Sequence, residues 1–253
     1  MQIDLSNKVA VVTGGSGELG RVMARTLAHC GADVAVHYLH NQAQAEQVCR
    51  EIGELGVRAM PVQADVGDRA SVLAMRDAIM AQLGAPHIVV TNAVIQYAWT
   101  TVLEQPLDDY EGQFRSCVLQ NVLMAQAFVP AMISRSAGRI IAINTECAMQ
   151  NFATQSAYVA GKRGMDGVLR VLAREIGTHQ ITVNQVAPGW TISERDRAAH
   201  TETQPAYDSA VPLRRRGTDQ EIANVVAFLA SDLASYITGA YIPVCGGNIM
   251  PTI

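Results

Sequence analysis

The amino-acid sequence predicts an α/β protein with a doubly wound parallel sheet that is covered by helices on both faces. Strands and helices alternate along the chain, and the strands are near-continuous apolar runs, which is typical of buried parallel strands. Right-handed crossovers then place the ligand crevice at the carboxyl ends of the strands, where the strand order reverses. The glycine-rich or polar stretches fall at such ends: 13–20, 65–66, 92–93, 144–145 and 188–189.

Strands are predicted where short apolar runs are bounded by turn residues. They lie at 9–12, 33–38, 58–65, 87–93, 139–144, 181–189 and 240–244. Helices are predicted where apolar residues recur three and four positions apart. They lie at 20–30, 43–55, 69–84, 156–177 and about 218–230, with a long helical region that reaches 131–138. The last helix begins with Thr218-Asp219-Gln220-Glu221, which has the pattern of a capping box.

Composition narrows the class of protein. The chain has 253 residues, 49% of them hydrophobic, and no linker or repeat, so residues 1–253 are expected to form one domain. A net charge of −4 offers no basic footprint for nucleic acid. The six histidines lack metal-ligand spacing, so no metal is expected, and apolar runs fall short of the roughly 18 residues that span a membrane. Five cysteines without a C-x-x-C pair, and no signal peptide after Met1, favour reduced thiols in a cytoplasmic protein.

A glycine-rich loop joins the first strand to the first helix. Residues 15–20 read Gly-Ser-Gly-Glu-Leu-Gly and match G-x-G-x-x-G in the required strand-turn-helix context, and helix N-terminal amides attract phosphate. The alternative is a tight turn without a ligand. Glu18 would compete with a bound phosphate, unless its side chain points to solvent or caps the helix.

Tyr158 and Lys162 are spaced i and i+4, so they lie on one face of the predicted helix. A nearby ammonium favours the tyrosine phenolate, and such a pair could act as an acid or base on a carbonyl or an alcohol. Spacing alone also fits a packed ring beside a solvated charge.

Taken together, these residues resemble the short-chain dehydrogenase/reductase family, in its single-domain branch. The resemblance covers the whole chain. Members of this family include 3-oxoacyl-carrier-protein reductases and sugar or polyol dehydrogenases. The matching stretches are Thr13-Gly14 to Gly20, Asp65-Val66, Asn92-Ala93, Tyr158-x-x-x-Lys162, 184–189, 237–239 and Gly246-Gly247.

The resemblance implies seven parallel strands in the order 3-2-1-4-5-6-7. It also implies that Tyr158 donates or accepts the proton and that Thr145 binds the substrate oxygen. Lys162 would lower the pKa of Tyr158 and hold the nicotinamide ribose. Cys117 occupies the position of the fourth catalytic residue. The implied cofactor-binding residues are Gly14, Ser16, Gly17, Leu19, Tyr38, His40, Asp65, Val66, Asn92, Ala93, Lys162, Pro188, Gly189 and Thr191.

Several positions depart from the family pattern. Glu18 stands where single-domain members have glycine, but Gly17 gives the TGxxGxxG spacing of extended members, which favours a working cofactor loop. Val94 replaces the last glycine of NNAG, and Thr145 replaces the usual serine. Cys117 replaces an asparagine whose backbone carbonyl helps to hold a water in the family's proton relay, and a small buried filler is its favoured role.

The end of the second strand decides the expected cofactor. Residues 37–41 read His-Tyr-Leu-His-Asn. An acidic residue at this position would favour NAD, but the stretch contains none. No arginine or lysine stands at Gly17, the usual position for a phosphate contact, but His40 is placed to contact a 2′-phosphate. NADP(H) is therefore predicted over NAD(H).

The substrate side is less defined. Gln96, Tyr97, Gln150 and Trp190 are predicted to contact substrate, and residues at about 190–212 are expected to form a lid. The polar side chains of the lid fit either a solvated helix face or a polar or charged substrate. Arg214-Arg215-Arg216 precedes a helix in this family, so a structural role is expected there.

The sequence thus predicts an NAD(P)-dependent oxidoreductase that acts on a small carbonyl or alcohol. Two alternatives stay open: a dehydratase or isomerase that uses Tyr158 and Lys162 without redox chemistry, and a non-catalytic nucleotide-binding protein. A homotetramer or dimer is expected through the central helices and the last strand, as in the family.

Overall fold

A computed structural model describes residues 3–251 and contains nine strands. Seven of them form one parallel sheet in the order β3-β2-β1-β4-β5-β6-β9, which confirms the predicted order with β9 as the seventh strand. β7 and β8 form a separate pair near the substrate side. The strands are β1 Val9–Val12, β2 Asp33–Tyr38, β3 Ala59–Gln63, β4 Ile88–Thr91, β5 Gly138–Ile143, β6 Ile181–Pro188, β7 Thr191–Ile192, β8 Gly217–Thr218 and β9 Tyr241–Val244.

Helices cover both faces of the sheet. Along each strand, successive side chains enter opposite apolar layers: Ala10 and Val12 pack with α1, α2 and α10, whereas Val9 and Val11 pack with α3, α5 and α7. The helices are α1 Glu18–His29, α2 Gln42–Gly53, α3 Arg69–Gln82, α4 Leu107–Gln113, α5 Gln120–Arg135, α6 Cys147–Gln150, α7 Ser156–Ile176, α8 Glu194–Ala199, α9 Pro205–Ala210 and α10 Asp219–Ala230.

The predicted bounds need small corrections at the ends that build the site. The third strand stops at Gln63 rather than at 65, because Asp65 turns the chain by accepting a hydrogen bond from the Gly67 amide over 2.8 Å. The fourth stops at Thr91, because Asn92 turns toward the first loop. The long helical region is divided into α4, a π-helix over Phe114–Leu119, and α5, a division that apolar periodicity does not reveal.

This central run also bears on the membrane expectation. Leu107–Arg135 is long and apolar enough to cross a membrane by length and composition, although polar residues interrupt it before any apolar run reaches about 18 residues. Its most apolar window is 56% buried inside the protein, where α5 packs against α3 and α7. A core helix of this kind meets the same criteria, and here the run forms part of the core.

Two glycines let α1 start directly against the loop that follows β1. Gly14 has φ +62°, in the left-handed region that glycine adopts without strain. A Cβ on Gly20 would lie 2.0 Å from the carbonyl oxygen of Gly14, so the helix and loop can approach this closely only with glycine there.

Gly20→Ala should therefore lower the free energy of unfolding by about 1–3 kcal/mol, because the added methyl overpacks the loop. Urea unfolding would measure this loss. Gly53→Ala is the control: its methyl would meet nothing within 4 Å, and it should be neutral or stabilising by up to about 1 kcal/mol. Equal stability of the two variants would contradict this packing argument.

Candidate active site

The loop after β1 is held by its neighbours at the carboxyl edge of the sheet. The Thr13 hydroxyl donates to Gln120 Oε1 over 2.6 Å and accepts from the backbone amides of Asn92 and Ala93 over 2.8 and 3.1 Å. The Asn92 side chain donates to the Thr13 carbonyl over 3.0 Å. The predicted residues Asn92 and Ala93 therefore shape the loop, and Gln120, which sequence analysis missed, closes this network from α5.

His37 fixes the other side of the same loop. Its Nδ1 accepts from the Gly14 amide over 2.9 Å, and its Nε2 lies 2.9 Å from the Ala64 carbonyl, which it can reach only as a donor. Burial lowers the pKa of His37, and this keeps the ring neutral in that tautomer. A buried polar residue inside an apolar strand was the signal for this role.

The N-terminus of α1 suits a phosphate group. α2, α3, α8 and α10 each have a side chain that caps the first turn, whereas α1 begins at Gly17 with no side-chain cap. Its first-turn amides are therefore available to an anion, as the diphosphate of a dinucleotide requires. The predicted residues Gly14, Ser16, Gly17 and Leu19 lie in or next to this turn.

Glu18 does not occupy that anion position. Its carboxylate accepts from the Arg21 guanidinium over 2.9 Å and from the backbone amide of Arg195 over 3.4 Å. Arg21 also pairs with Glu194 over 2.9 Å. The carboxylate is thus directed toward the lid and a cation, which is compatible with a working cofactor loop.

The predicted adenosine side divides into exposed and buried residues. Asp65 and His40 are exposed, whereas Tyr38 is 7% exposed and packs into the core with α1 and α2. The Tyr38 ring is therefore not free to contact a cofactor, because the apolar layer beneath α2 takes it up. Val66 is also buried.

Tyr158, Lys162 and Thr145 come together at the carboxyl edge of β5. The Thr145 side chain lies close enough to the Tyr158 phenol to lower its pKa, and Lys162 Nζ lies 5.7 Å from the centroid of the Tyr158 ring. Lys162 is 4% exposed and donates to the Ile143 carbonyl over 2.6 Å. The predicted set thus has the geometry of an acid beside a hydroxyl and a cation.

The pKa of Tyr158 shifts in the direction opposite to the lowering that the sequence predicts. Burial raises the pKa of Tyr158 above its usual value, and the hydrogen bond from Thr145 opposes the shift only in part. Burial also lowers the pKa of Lys162, which weakens its hold on a phenolate. In this state Tyr158 is a protonated phenol at neutral pH, ready to donate a proton.

Cys117 lies in the π-helix beside these residues and is 1% exposed. It belongs to the apolar layer between the sheet and α3, α5 and α7, in accordance with the role of a buried filler. Its carbonyl accepts from the Asn121 side chain over 2.6 Å. That carbonyl is therefore already engaged by the helix that follows.

The substrate-side residues fall on three loops at the same edge. Gln96 is exposed after β4, the Tyr97 hydroxyl accepts from the Tyr158 amide over 2.7 Å, and Trp190 is 49% exposed after β6. Gln150 has a buried Oε1 without a hydrogen-bond partner among the described residues. Tyr97 thus positions the helix turn that carries Tyr158.

The segment predicted to form a lid contains α8 and α9, and most of its charged side chains are paired. Hydrogen bonds from Ser193 and from the cation Arg216 lower the pKa of Asp196 to about 2. Arg197 forms an ion pair with Asp219 over 2.5 Å. Arg216 is 2% exposed and donates to the carbonyls of Trp190 and Thr191 over 3.3 and 2.8 Å. Arg216 therefore has a structural role, as expected of this arginine cluster. The polar side chains of the lid stabilise the lid itself.

A buried carboxylate, which sequence analysis missed, connects the lid to the catalytic edge. Glu146 is 3% exposed and accepts from the Tyr207 hydroxyl over 2.8 Å and from the Asn248 side chain over 3.0 Å. The Tyr207 hydroxyl in turn accepts from the Trp190 amide over 2.9 Å and covers Gly189. Gly189, one of the residues predicted to line the nicotinamide pocket, thus lies directly beneath Tyr207.

The fold and site together define a dinucleotide-dependent enzyme, with Tyr158, Thr145 and Lys162 gathered at the carboxyl edge of its sheet. A family model described as Enoyl-(Acyl carrier protein) reductase matches residues 16–248. The 3-oxoacyl-[acyl-carrier-protein] reductase FabG of Staphylococcus aureus (strain Mu50) is 37% identical over 253 residues, covering 96% of this chain and 98% of the relative. The chain belongs to the short-chain dehydrogenase/reductase family.

Two solved structures show how closely the fold is shared. The reductase LugOII, which catalyses keto-reduction at C1 during lugdunomycin biosynthesis, has a TM-score of 0.90 and 30% identity, covering 97% of this chain and 99% of that one. A blue fluorescent protein from a metagenomic library, in complex with NADPH, has a TM-score of 0.89 and 33% identity, covering 98% and 100%.

This protein is an NAD(P)-dependent oxidoreductase that transfers a hydride between a nicotinamide cofactor and a small carbonyl or alcohol substrate. The non-redox and non-catalytic alternatives are not favoured. Among residues 3–251, no cluster of three or more His, Cys, Asp or Glu side chains is arranged to hold a metal ion.

Tyr207→Phe should loosen the lid, because Glu146 Oε1 and the Trp190 amide would lose a shared partner, and a buried polar atom without one costs about 1–3 kcal/mol. Hydrogen exchange should become faster across residues 190–212 and stay unchanged in β1 and β4. Tyr236→Phe is the control, since Tyr236 is fully exposed. Unchanged exchange in the lid of Tyr207→Phe would contradict the assignment.

Proposed function

We propose that the protein reduces a ketone with NADPH, with Tyr158 as the proton donor and Thr145 and Lys162 beside it. The observation that carries the proposal is the placement of the Tyr158 phenol next to Thr145 and Lys162, with Lys162 Nζ 5.7 Å from the centroid of the Tyr158 ring. A protonated phenol favours reduction, in which the substrate oxygen must gain a proton. The nicotinamide, when bound, supplies the hydride to the carbonyl carbon.

The residues divide the work by position. Tyr158 donates its proton to the carbonyl oxygen, and the Thr145 hydroxyl, 6% exposed, donates a hydrogen bond to the same oxygen. Lys162 holds the nicotinamide ribose in this proposal. Its Nζ also donates a hydrogen bond to the Ile143 carbonyl. Gln150, with an unpartnered buried oxygen, is a substrate contact in this proposal.

Preference for NADPH follows from the end of β2. Residues 37–41 contain no carboxylate to repel a 2′-phosphate, and Asn41 is occupied as the cap of α2. His40 is exposed there and free to contact the phosphate. The NADPH complex of the metagenomic relative supports the same choice.

Assembly as a homo-oligomer is part of the proposal. Large apolar side chains are exposed along the central helices, including Leu107 at 77%, Phe114 at 51% and Val171 at 56%. A second copy would cover them, because such patches favour association. Together with the family pattern, this supports a dimer or tetramer in the cytoplasm.

Tyr158→Phe should lower kcat by roughly 10²–10⁴-fold, the usual contribution of a general acid, while cofactor binding and thermal stability are retained. Thr145→Ser and Thr145→Val form a matched pair: the serine keeps the hydroxyl and should retain activity, whereas valine should lose most of it. Steady-state kinetics with any accepted ketone measure both. Full activity of Tyr158→Phe would overturn the assignment.

His40→Asp should reverse the cofactor preference. Titration of the wild type by fluorescence should show NADPH binding about tenfold or more tightly than NADH, a difference of about 1.4 kcal/mol. The new carboxylate should weaken NADPH binding and spare NADH, because it repels the 2′-phosphate. His179→Asp adds the same charge far from β2 and should change neither; tighter NADH binding by the wild type would contradict the preference.

A further inference from the structure

Trp99 lies on the catalytic tyrosine itself. Its ring stacks on the ring of Tyr158, with centroids 6.1 Å apart and planes inclined by 26°. Trp99 is nevertheless 48% exposed, so much of the indole surface is open to solvent. An indole in this position presents a flat apolar surface directly beside the group that hydrogen-bonds to Thr145.

The loop that carries Trp99 is built to hold it there. Gln105 is 6% exposed, accepts from the Thr100 amide over 3.0 Å and donates to the Ala98 carbonyl over 3.1 Å. One buried side chain thus fixes the peptide groups on both sides of Trp99. The Tyr97 hydroxyl, bonded to the Tyr158 amide, ties the same loop to α7. The tryptophan is therefore held in place although it is only half buried.

Apolar side chains are also exposed on the segment that leads to Tyr158. Met149 is 43% exposed and Phe152 is 57% exposed. Lys162 Nζ lies 5.7 Å from the Tyr158 ring, but it is buried and donates to the Ile143 carbonyl. The exposed surface that Trp99, Met149 and Phe152 share is therefore aromatic and apolar.

We propose that the carbonyl substrate carries an aromatic ring, which stacks on Trp99 while the carbonyl oxygen reaches Tyr158 and Thr145. This inference rests on the proposed reductase function of the same site. It goes beyond it by assigning the substrate class: an aryl-bearing ketone. Stacking of two aromatic rings contributes about 0.5–1.5 kcal/mol beyond the burial of area, which is enough for a several-fold preference.

The test compares 4-phenyl-2-butanone with 4-cyclohexyl-2-butanone, two ketones of equal length whose carbonyl is isolated from the ring. Their intrinsic reactivity is matched, so a difference in kcat/KM reports the ring. The wild type should prefer the phenyl ketone by about three- to tenfold. Trp99→Leu should reduce the ratio to near one, and Trp99→Phe should restore most of it.

Tyr236→Leu removes an aromatic ring that is fully exposed and precedes β9 at the opposite edge of the sheet, and it should keep the wild-type ratio. Equal kcat/KM for the two ketones, or a ratio unaffected by Trp99→Leu, would overturn the aromatic assignment while leaving the reductase function intact. If neither ketone is turned over, NADPH titration separates the two ideas. Bound NADPH with no quenching of tryptophan fluorescence by 4-phenyl-2-butanone overturns the aromatic site, whereas no NADPH binding overturns the reductase proposal, and this inference with it.

Discussion

Polar atoms buried at the carboxyl edge of the sheet must find partners, and this requirement organises the rest of the site. A hydroxyl or amide buried without a hydrogen bond costs a few kcal/mol, comparable to a large part of the stability of a domain. Thr13, Gln120 and Asn92 satisfy one another where β1, β4 and α5 meet. Because their bonds cross between elements, the loop that receives the dinucleotide is fixed before any ligand arrives.

The same requirement explains the directions of the pKa shifts of Tyr158 and Lys162, the proposed catalytic pair. Lys162 has exchanged water for one carbonyl, and Tyr158 has exchanged it for Thr145. Loss of solvation acts on both groups in the direction of their neutral forms, so it outweighs the attraction between an ammonium and a phenolate in this state. The prediction from spacing counted the attraction alone. The direction that it predicts for the Tyr158 pKa shift is opposite to the one that burial produces, because burial is a tertiary property.

Sequence analysis predicted the sheet order and most strand positions, since apolar runs and turn residues are local signals. It could not find Gln105, Glu146 or Tyr207, whose partners lie in other elements or depend on a loop conformation. It also assigned Tyr38 to the cofactor, although α2 covers that ring. For Glu18 it left two choices, solvent or helix cap, and the side chain is exposed rather than capping α1. The carboxylate pairs with Arg21 and reaches the lid backbone at Arg195.

Comparison of magnitudes shows what keeps the lid in place over Gly189. The contacts of Glu18 and Glu194 with Arg21 and Arg25 are partly exposed, and such pairs contribute about 0–1 kcal/mol each, less in salt. Arg216 is buried with four carbonyls and a carboxylate around it, and Glu146 is buried with Tyr207. Removal of either buried partner leaves an unpaired polar group, at a larger cost. Buried hydrogen bonds therefore hold the lid on the side that carries Tyr207 and Arg216. The ion pairs near α1 contribute less to the position of its other end, above the cofactor loop.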